Sequence, residues 1–149
     1  MDPAEYISFA GRVAGLGAAG ARSAVSRAYY GVFHLAISLL DAFQCAPPRN
    51  AASHQLVSEF LGSSNHPDAR QAARMLRDLH RDRIRADYRL LDLRLETFEF
   101  AKTSVECADN ARRNLESFRD ACQDETILDQ LRQGIAQLKA RRGLQRAGS

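Results

Sequence analysis

Residues 98–122, FEFAKTSVECADNARRNLESFRDAC, decide the fold. Phe98, Ala101, Val105, Ala108, Ala111, Leu115, Phe118 and Cys122 recur at steps of three and four, which puts them on one side of an α-helix. The run is long for a globular helix and apolar along most of that side, so it predicts a helix packed through most of its length.

The same period recurs outward from this run. Val25, Ala28, Tyr29, Val32, Leu35, Ala36, Leu39 and Leu40 make a buried stripe on a helix expected from about Arg22 to Phe43. Ala24, Ala28 and Gly31 on it are small enough for another backbone to approach closely. A first helix is expected from Pro3 to Leu16, with Asp2 as cap and Pro3 in the first turn, broken by Gly15, Gly17 and Gly20. Pro47-Pro48 forces a loop from Cys45 to Arg49. A third helix follows from about Asn50 to Leu61, capped by Asn50 or by Ser53. A fourth opens at Pro67 or Asp68 and runs to about Ile84, where a softer segment to Leu91 ends or bends it. A last helix, 124–139, aligns Ile127, Leu128, Leu131, Ile135 and Leu138, and the basic residues 140–149 read as a flexible tail. No strand pattern, internal repeat or glycine-rich phosphate loop is present. The expectation is a single all-α domain over 1–139, an up-and-down bundle of five to six helices with the last helix as an extension.

Composition narrows the function classes. The 149 residues fit one domain, and 45% hydrophobic content supplies a core. No apolar run is long enough to span a bilayer, and acidic Glu5 near the start argues against a secretory leader. Cys45, Cys107 and Cys122 are too scattered for a zinc or redox site, so free thiols in a reducing cytoplasm are expected. No cofactor or metal ligand set is evident, since His66 and His80 lack companions at ligand spacing. Twenty-one Lys and Arg against 18 Asp and Glu give a net charge of +3, which permits a nucleic-acid partner. Eight arginines between residues 70 and 94 alternate with Asp78, Asp82, Asp87 and Asp92, a pattern of either a salt-bridged solvated face or a phosphate-binding ridge.

Three segments carry a resemblance to a known family. Residues 22–34, RSAVSRAYYGVFH, have a small-residue helix with an Arg-Ala-Tyr-Tyr core followed by Phe-His. Residues 49–54, RNAASH, set an arginine, a polar residue and a histidine at the spacing of a ribonuclease motif. Residues 83–88, RIRADY, end in Ala-Asp-Tyr. In content, order and separation these segments resemble the HEPN superfamily (higher eukaryotes and prokaryotes nucleotide-binding), over roughly residues 3–125, and most of all its small stand-alone prokaryotic members. In the subgroup with the Ala-Asp-Tyr ending the motif arginine is often replaced; here Arg49 is present.

The resemblance implies a metal-independent endoribonuclease, a toxin or defence effector. It also implies a homodimer whose two motifs face a composite cleft, and pairing with a nucleotidyltransferase-like antitoxin. On that reading Arg49 holds a phosphate through its fork of donors, His54 moves a proton, and Asn50 orients His54 or binds an RNA oxygen. Arg22, Arg27, Tyr30 and His34 are expected at the RNA or nucleotide-binding surface, with His34 either a core-edge packing residue or a second proton carrier. Arg83, Asp87 and Tyr88 read as a tertiary brace, with the tyrosine burying its ring. An offset of five would turn Arg49 and His54 about 140° apart on one helix. Arg49 must therefore lie on the entering loop or first turn, where free helix-end amides would add phosphate donors, or else the two serve different halves of a dimer cleft. A non-catalytic nucleotide or nucleic-acid binding module and a helical assembly protein are the alternatives.

Overall fold

The computed structural model describes residues 1–143. Six α-helices follow one another: α1 (Ala4–Val13), α2 (Gly17–Ala42), α3 (Ser53–Gly62), α4 (Pro67–Tyr88), α5 (Phe98–Ala121) and α6 (Glu125–Arg142), with one 3-10 turn (Leu93–Glu96) before α5. Among the described residues there is no strand, and the chain is the all-α, up-and-down bundle that the periodicity predicts. Among the described residues no helix is long and apolar enough to cross a membrane.

Most helix starts are set by side chains that accept an otherwise orphaned amide. Asp2 Oδ1 accepts from Ala4 N at 2.9 Å, Thr97 Oγ1 from Phe100 N at 3.2 Å and Asp124 Oδ1 from Thr126 N at 2.8 Å. At α4 the cap is an imidazole: His66 Nδ1 accepts from Asp68 N at 3.2 Å, with Pro67 at the first helical position. Gly143, at φ 68°, closes α6 in the left-handed conformation.

The centre of the bundle is α2. Ala21, Ala24, Ala28, Tyr29, Val32, Ala36 and Leu40 on it are fully buried, and α1, α4 and α5 all pack on it. Phe60 and Leu61 of α3, Leu76 and Leu79 of α4 and Phe118 of α5 fill the remaining interior. Leu131 and Ile135 of α6 join the same core, and Gly134 seats α6 on α3: a Cβ there would stand 2.5 Å from Ser63 O. The last helix is thus a structural wall of the domain. Cys45, Cys107 and Cys122 are free thiols.

Four boundaries depart from expectation. The break after α1 is shorter than three glycines suggest, and α2 starts at Gly17 instead of Arg22. Gly17, at φ 75°, turns the chain, whereas Gly20 lies inside the first turns of α2 where a Cβ would collide with Val13 O and Leu16 Cβ. Helix α3 starts at Ser53, because Asn50 shapes the turn before it: Asn50 Oδ1 accepts from Ala52 N at 2.9 Å and Asn50 O from Ser53 Oγ at 2.7 Å. Helix α4 continues past Ile84 to Tyr88, with Arg83 and Asp87 paired one turn apart at 2.9 Å and Ala86 buried. Helix α6 runs on through Arg142, so the expected tail from 140 begins as helix; residues 144–149 lie outside the described residues.

After α4, residues 89–97 are pinned by one side chain. Arg22 of α2 donates from Nη1 to Ala86 O (3.0 Å) and Arg89 O (3.1 Å), and from Nη2 to Leu90 O (3.0 Å) and Asp92 O (3.1 Å). Its Nε and Nη2 both reach Glu96 Oε1, at 3.1 and 3.0 Å. Beneath it Val25, Ala86 and Leu95 form a small second core, while Tyr88, Leu90, Leu91 and Leu93 point outward.

Candidate functional site

Two i, i+4 stripes on α2 organise the site. Tyr29 and Phe33 face α3 and α4; Tyr30 and His34 lie one position further round, toward α1. His54 enters as the second residue of α3, and its ring stacks on Phe33 (centroids 4.5 Å, 20° between planes) and on His80 of α4 (5.5 Å, 5°). Tyr29 stacks on His80 as well (5.0 Å, 29°), and its hydroxyl lies 2.6 Å from His54 Nδ1. His34 stacks on Tyr6 of α1 (5.7 Å) and meets the edge of Phe33 (5.3 Å, 68°).

A cleft of about 450 Å³ opens beside Phe33, His34 and His54. Its walls are Phe33, His34, Ile37 and Ser38 of α2 with Arg49, Asn50, Ser53 and His54. Arg49 and Asn50 are exposed, while His34 and His54 are half-buried. The expected pair, Arg49 and His54, therefore shares one concavity, and Arg49 sits on the loop entering α3 as the helical offset requires. His34 stands on the opposite wall.

Burial lowers the proton affinity of all three imidazoles. His54 is held below its ordinary pKa mainly by desolvation, then by the Arg83 charge and by His34. His80 is lowered by desolvation, His54 and Arg83, and His34 by desolvation alone. Desolvation pushes the Tyr29 phenol up, outweighing the nearby Arg83 guanidinium, so it remains a neutral hydroxyl. Tyr29 has no exposed surface, and its hydroxyl has one hydrogen-bond partner among the described residues. Leaving a buried hydroxyl hydrogen unpartnered costs about 1–3 kcal/mol, so the phenol donates and His54 Nδ1 accepts.

The other expected site residues divide. Arg27 is exposed on α2, with Cζ 5.9 Å from the Tyr6 ring centre, and stays available to an anion. Arg22 does not: its donors are spent on four carbonyls and Glu96, which corrects its assignment to a nucleotide surface into a structural one. Tyr30 is likewise engaged, accepting from Arg83 Nη2 at 2.5 Å. Arg83 and Asp87 do form a brace: Arg83 Nε lies 2.9 Å from Asp87 Oδ2 without hydrogen-bond alignment, and Ser26 Oγ donates to the same oxygen at 3.4 Å. Tyr88 does not bury its ring in that brace; it is 72% exposed, with Arg83 Cζ 6.0 Å from its centre. His54 Nδ1 is met by the Tyr29 hydroxyl and not by Asn50, whose side-chain oxygen accepts from Ala52 N. The α3 end offers few free amides, because those of Ala52, Ser53 and Gln55 already have acceptors.

Tyr29, Phe33 and His80 were not legible as site residues. Tyr29 read as part of the buried stripe, Phe33 carried no site reading, and His80 had no partner within reach along the chain. The usable signal was Tyr29 itself, since a buried phenol needs a partner for its hydroxyl. His54 and His80 do not converge on an ion: parallel rings 5.5 Å apart cannot aim in-plane lone pairs at one centre about 2.0–2.1 Å from each. Among the described residues no group of three or more His, Cys, Asp or Glu side chains is placed to hold a metal. No protein-family model, curated protein or solved structure matches the chain.

Proposed function

We propose that this chain is a metal-independent endoribonuclease that works in the cleft between α2 and the start of α3. The observation that carries the reading is the meeting of Arg49, His34 and His54 on the walls of one concavity. Arg49 brings a permanent charge with paired donors suited to a phosphodiester. The two half-buried imidazoles, both with lowered proton affinity, bring groups that are neutral near pH 7. RNA supplies the nucleophile: its 2′-oxygen attacks phosphorus, the bond to the 5′-oxygen breaks, and the products are a 2′,3′-cyclic phosphate and a 5′-hydroxyl. The resemblance of residues 22–34, 49–54 and 83–88 to HEPN ribonucleases supports the same chemistry. It extends the proposal to a cytoplasmic toxin or defence effector, a homodimer with a composite cleft, and an antitoxin of nucleotidyltransferase type.

The test is incubation of the purified chain with RNA in the presence of EDTA. Cleavage that leaves cyclic-phosphate ends, and that is lost in folded Arg49→Ala and His54→Ala variants, is the expected result. Intact RNA retained with steep salt dependence would replace the reading with a non-catalytic binding module.

A further inference from the structure

We propose that Tyr29 is a positioning residue that locks His54 with its proton on Nε2, so that His54 donates a hydrogen bond to the scissile phosphate while His34 takes the 2′-hydroxyl proton. The assignment of roles rests on the nuclease reading; the lock does not.

The lock follows from three contacts. The Tyr29 hydroxyl, inside a residue with no exposed surface, has His54 Nδ1 at 2.6 Å as its acceptor. The His54 ring is held flat against both Phe33 and His80, so it cannot turn over to offer its other edge without losing that bond. A neutral imidazole carries one N–H, and with Nδ1 accepting, that N–H is Nε2. The opposite tautomer would turn the phenolic hydrogen into packed protein, which favours the Nε2–H form by roughly five- to 150-fold.

The same contacts keep His54 from acting as a proton carrier. Its second proton would have to enter at Nδ1, against the Tyr29 O–H. Among the described residues the groups facing it add no anion: Tyr29 and His34 come from α2, His80 and Arg83 from α4, and Arg49 from the loop. Asp87, the carboxylate beside Arg83, is already paired with that guanidinium. A fixed neutral donor aimed at a phosphoryl oxygen is useful where charge grows on that oxygen in the transition state.

His34 has the complementary freedom. It shares the cleft with His54, and its ring has no hydrogen-bond partner among the described residues. Tyr6 of α1 stacks on it, and Tyr30 and Phe33 of α2 flank it. Arg27, with Cζ 5.9 Å from the centre of the Tyr6 ring, is a cation on that side. In the resulting step the 2′-oxygen bonds to phosphorus, its proton passes to His34, the bond to the 5′-oxygen breaks, and that oxygen takes a proton from water. His54 Nε2–H bonds to a non-bridging oxygen throughout and transfers nothing.

The lock is read without substrate. In the full chain labelled with 15N-histidine, two-bond 1H–15N spectra assigned by His54→Gln should show a protonated Nε2 and an unprotonated Nδ1 in neutral His54. Tyr29→Phe, which removes one oxygen, should convert this pattern to a mixture of tautomers and raise the pH at which His54 titrates. A wild-type ring carrying its proton on Nδ1 overturns the lock, as does a pattern unchanged in folded Tyr29→Phe; if that variant fails to fold, the wild-type spectrum decides alone. In RNA cleavage, His54→Ala should lose about 10²–10³-fold, and His54→Gln, whose amide supplies an N–H at the same reach, should lose less. His34→Gln should lose about 10²–10⁴-fold together with the acidic limb of the pH profile. Equal losses in His54→Gln and His54→Ala overturn the donor role, and wild-type cleavage by His34→Gln overturns the base. A wild-type chain that shows the Nε2–H tautomer but cuts no RNA removes the nuclease reading and leaves the lock standing.

Discussion

Replacing Arg22 with alanine distinguishes a structural clamp from a nucleic-acid contact. The five N–H groups of this one guanidinium, which is only 11% exposed, reach acceptors at six contacts, so one N–H is shared. Their contributions are unequal. Arg89 and Leu90 are exposed, so their carbonyls regain water when the arginine goes, and those two bonds contribute little. The carbonyls of Ala86 and Asp92 and the Glu96 carboxylate are partly buried, and bonds to a charged donor contribute about 1.5–3 kcal/mol each. Glu96 is 28% exposed and recovers part of its hydration. Discounting for that, and for relaxation of residues 89–97, a loss of about 2–4 kcal/mol is expected. Urea denaturation measures it, and amide hydrogen exchange should show protection lost first between residues 86 and 97. Arg22→Lys should recover little, since a single ammonium cannot span carbonyls that a planar fork reaches together. A change below about 0.5 kcal/mol, or loss of RNA binding in an Arg22→Ala protein of unaltered stability, would refute the clamp.

Gly31→Ala should destabilise by about 1–3 kcal/mol, because the new Cβ would stand 2.6 Å from Ile7 Cγ1 and 3.2 Å from Pro3 O; in a double-mutant cycle, the pair with Ile7→Ala should cost less than the sum of the two. Asp124→Ala removes the acceptor for Thr126 N and should lower stability by about 1 kcal/mol, seen as a shifted urea midpoint with an unchanged slope. Stability should also fall in acid. His34, His54 and His80 have folded pKa values below the unfolded value of about 6.5, so the unfolded chain binds the extra protons. Their contribution is full above about pH 6.5 and is lost as pH drops through the lower folded values. Denaturation midpoints measured between pH 7.5 and 5 should decline, and His80→Gln should flatten the decline; a midpoint that rises toward pH 5 contradicts the burial described.

Helix α5 was legible because its apolar period runs unbroken, and the cap Asp2 is a local device whose partner Ala4 lies two positions away. Gly20 misled because a glycine reads as a breaker from its neighbours in sequence, whereas here it serves a close approach inside α2. The end of α4 misled because Ala86 packs on Val25 and Leu95, contacts distant in sequence, within a stretch that looks only polar. Arg49 and His54 were singled out by their spacing together with the resemblance of three segments, and the structure places both on one cleft. What spacing could not supply was the floor under them. Tyr29, His54 and His80 are separated by 25 or more residues, and only the packing of three helices brings the rings together. The role of Arg22 was hidden for the same reason: its acceptors lie 64 to 74 positions downstream.

The crowding around α2 also decides which substitutions the chain can tolerate. Ala21, Ala24 and Ala28 are fully buried, and a methyl added at Gly31 would meet Ile7 and Pro3 O of the neighbouring α1 segment. Random change along this helix should therefore be filtered by volume more than by polarity. Sequences that keep the same architecture would drift freely on the outer faces of α5 and α6 while holding a narrow ceiling on side-chain size along α2.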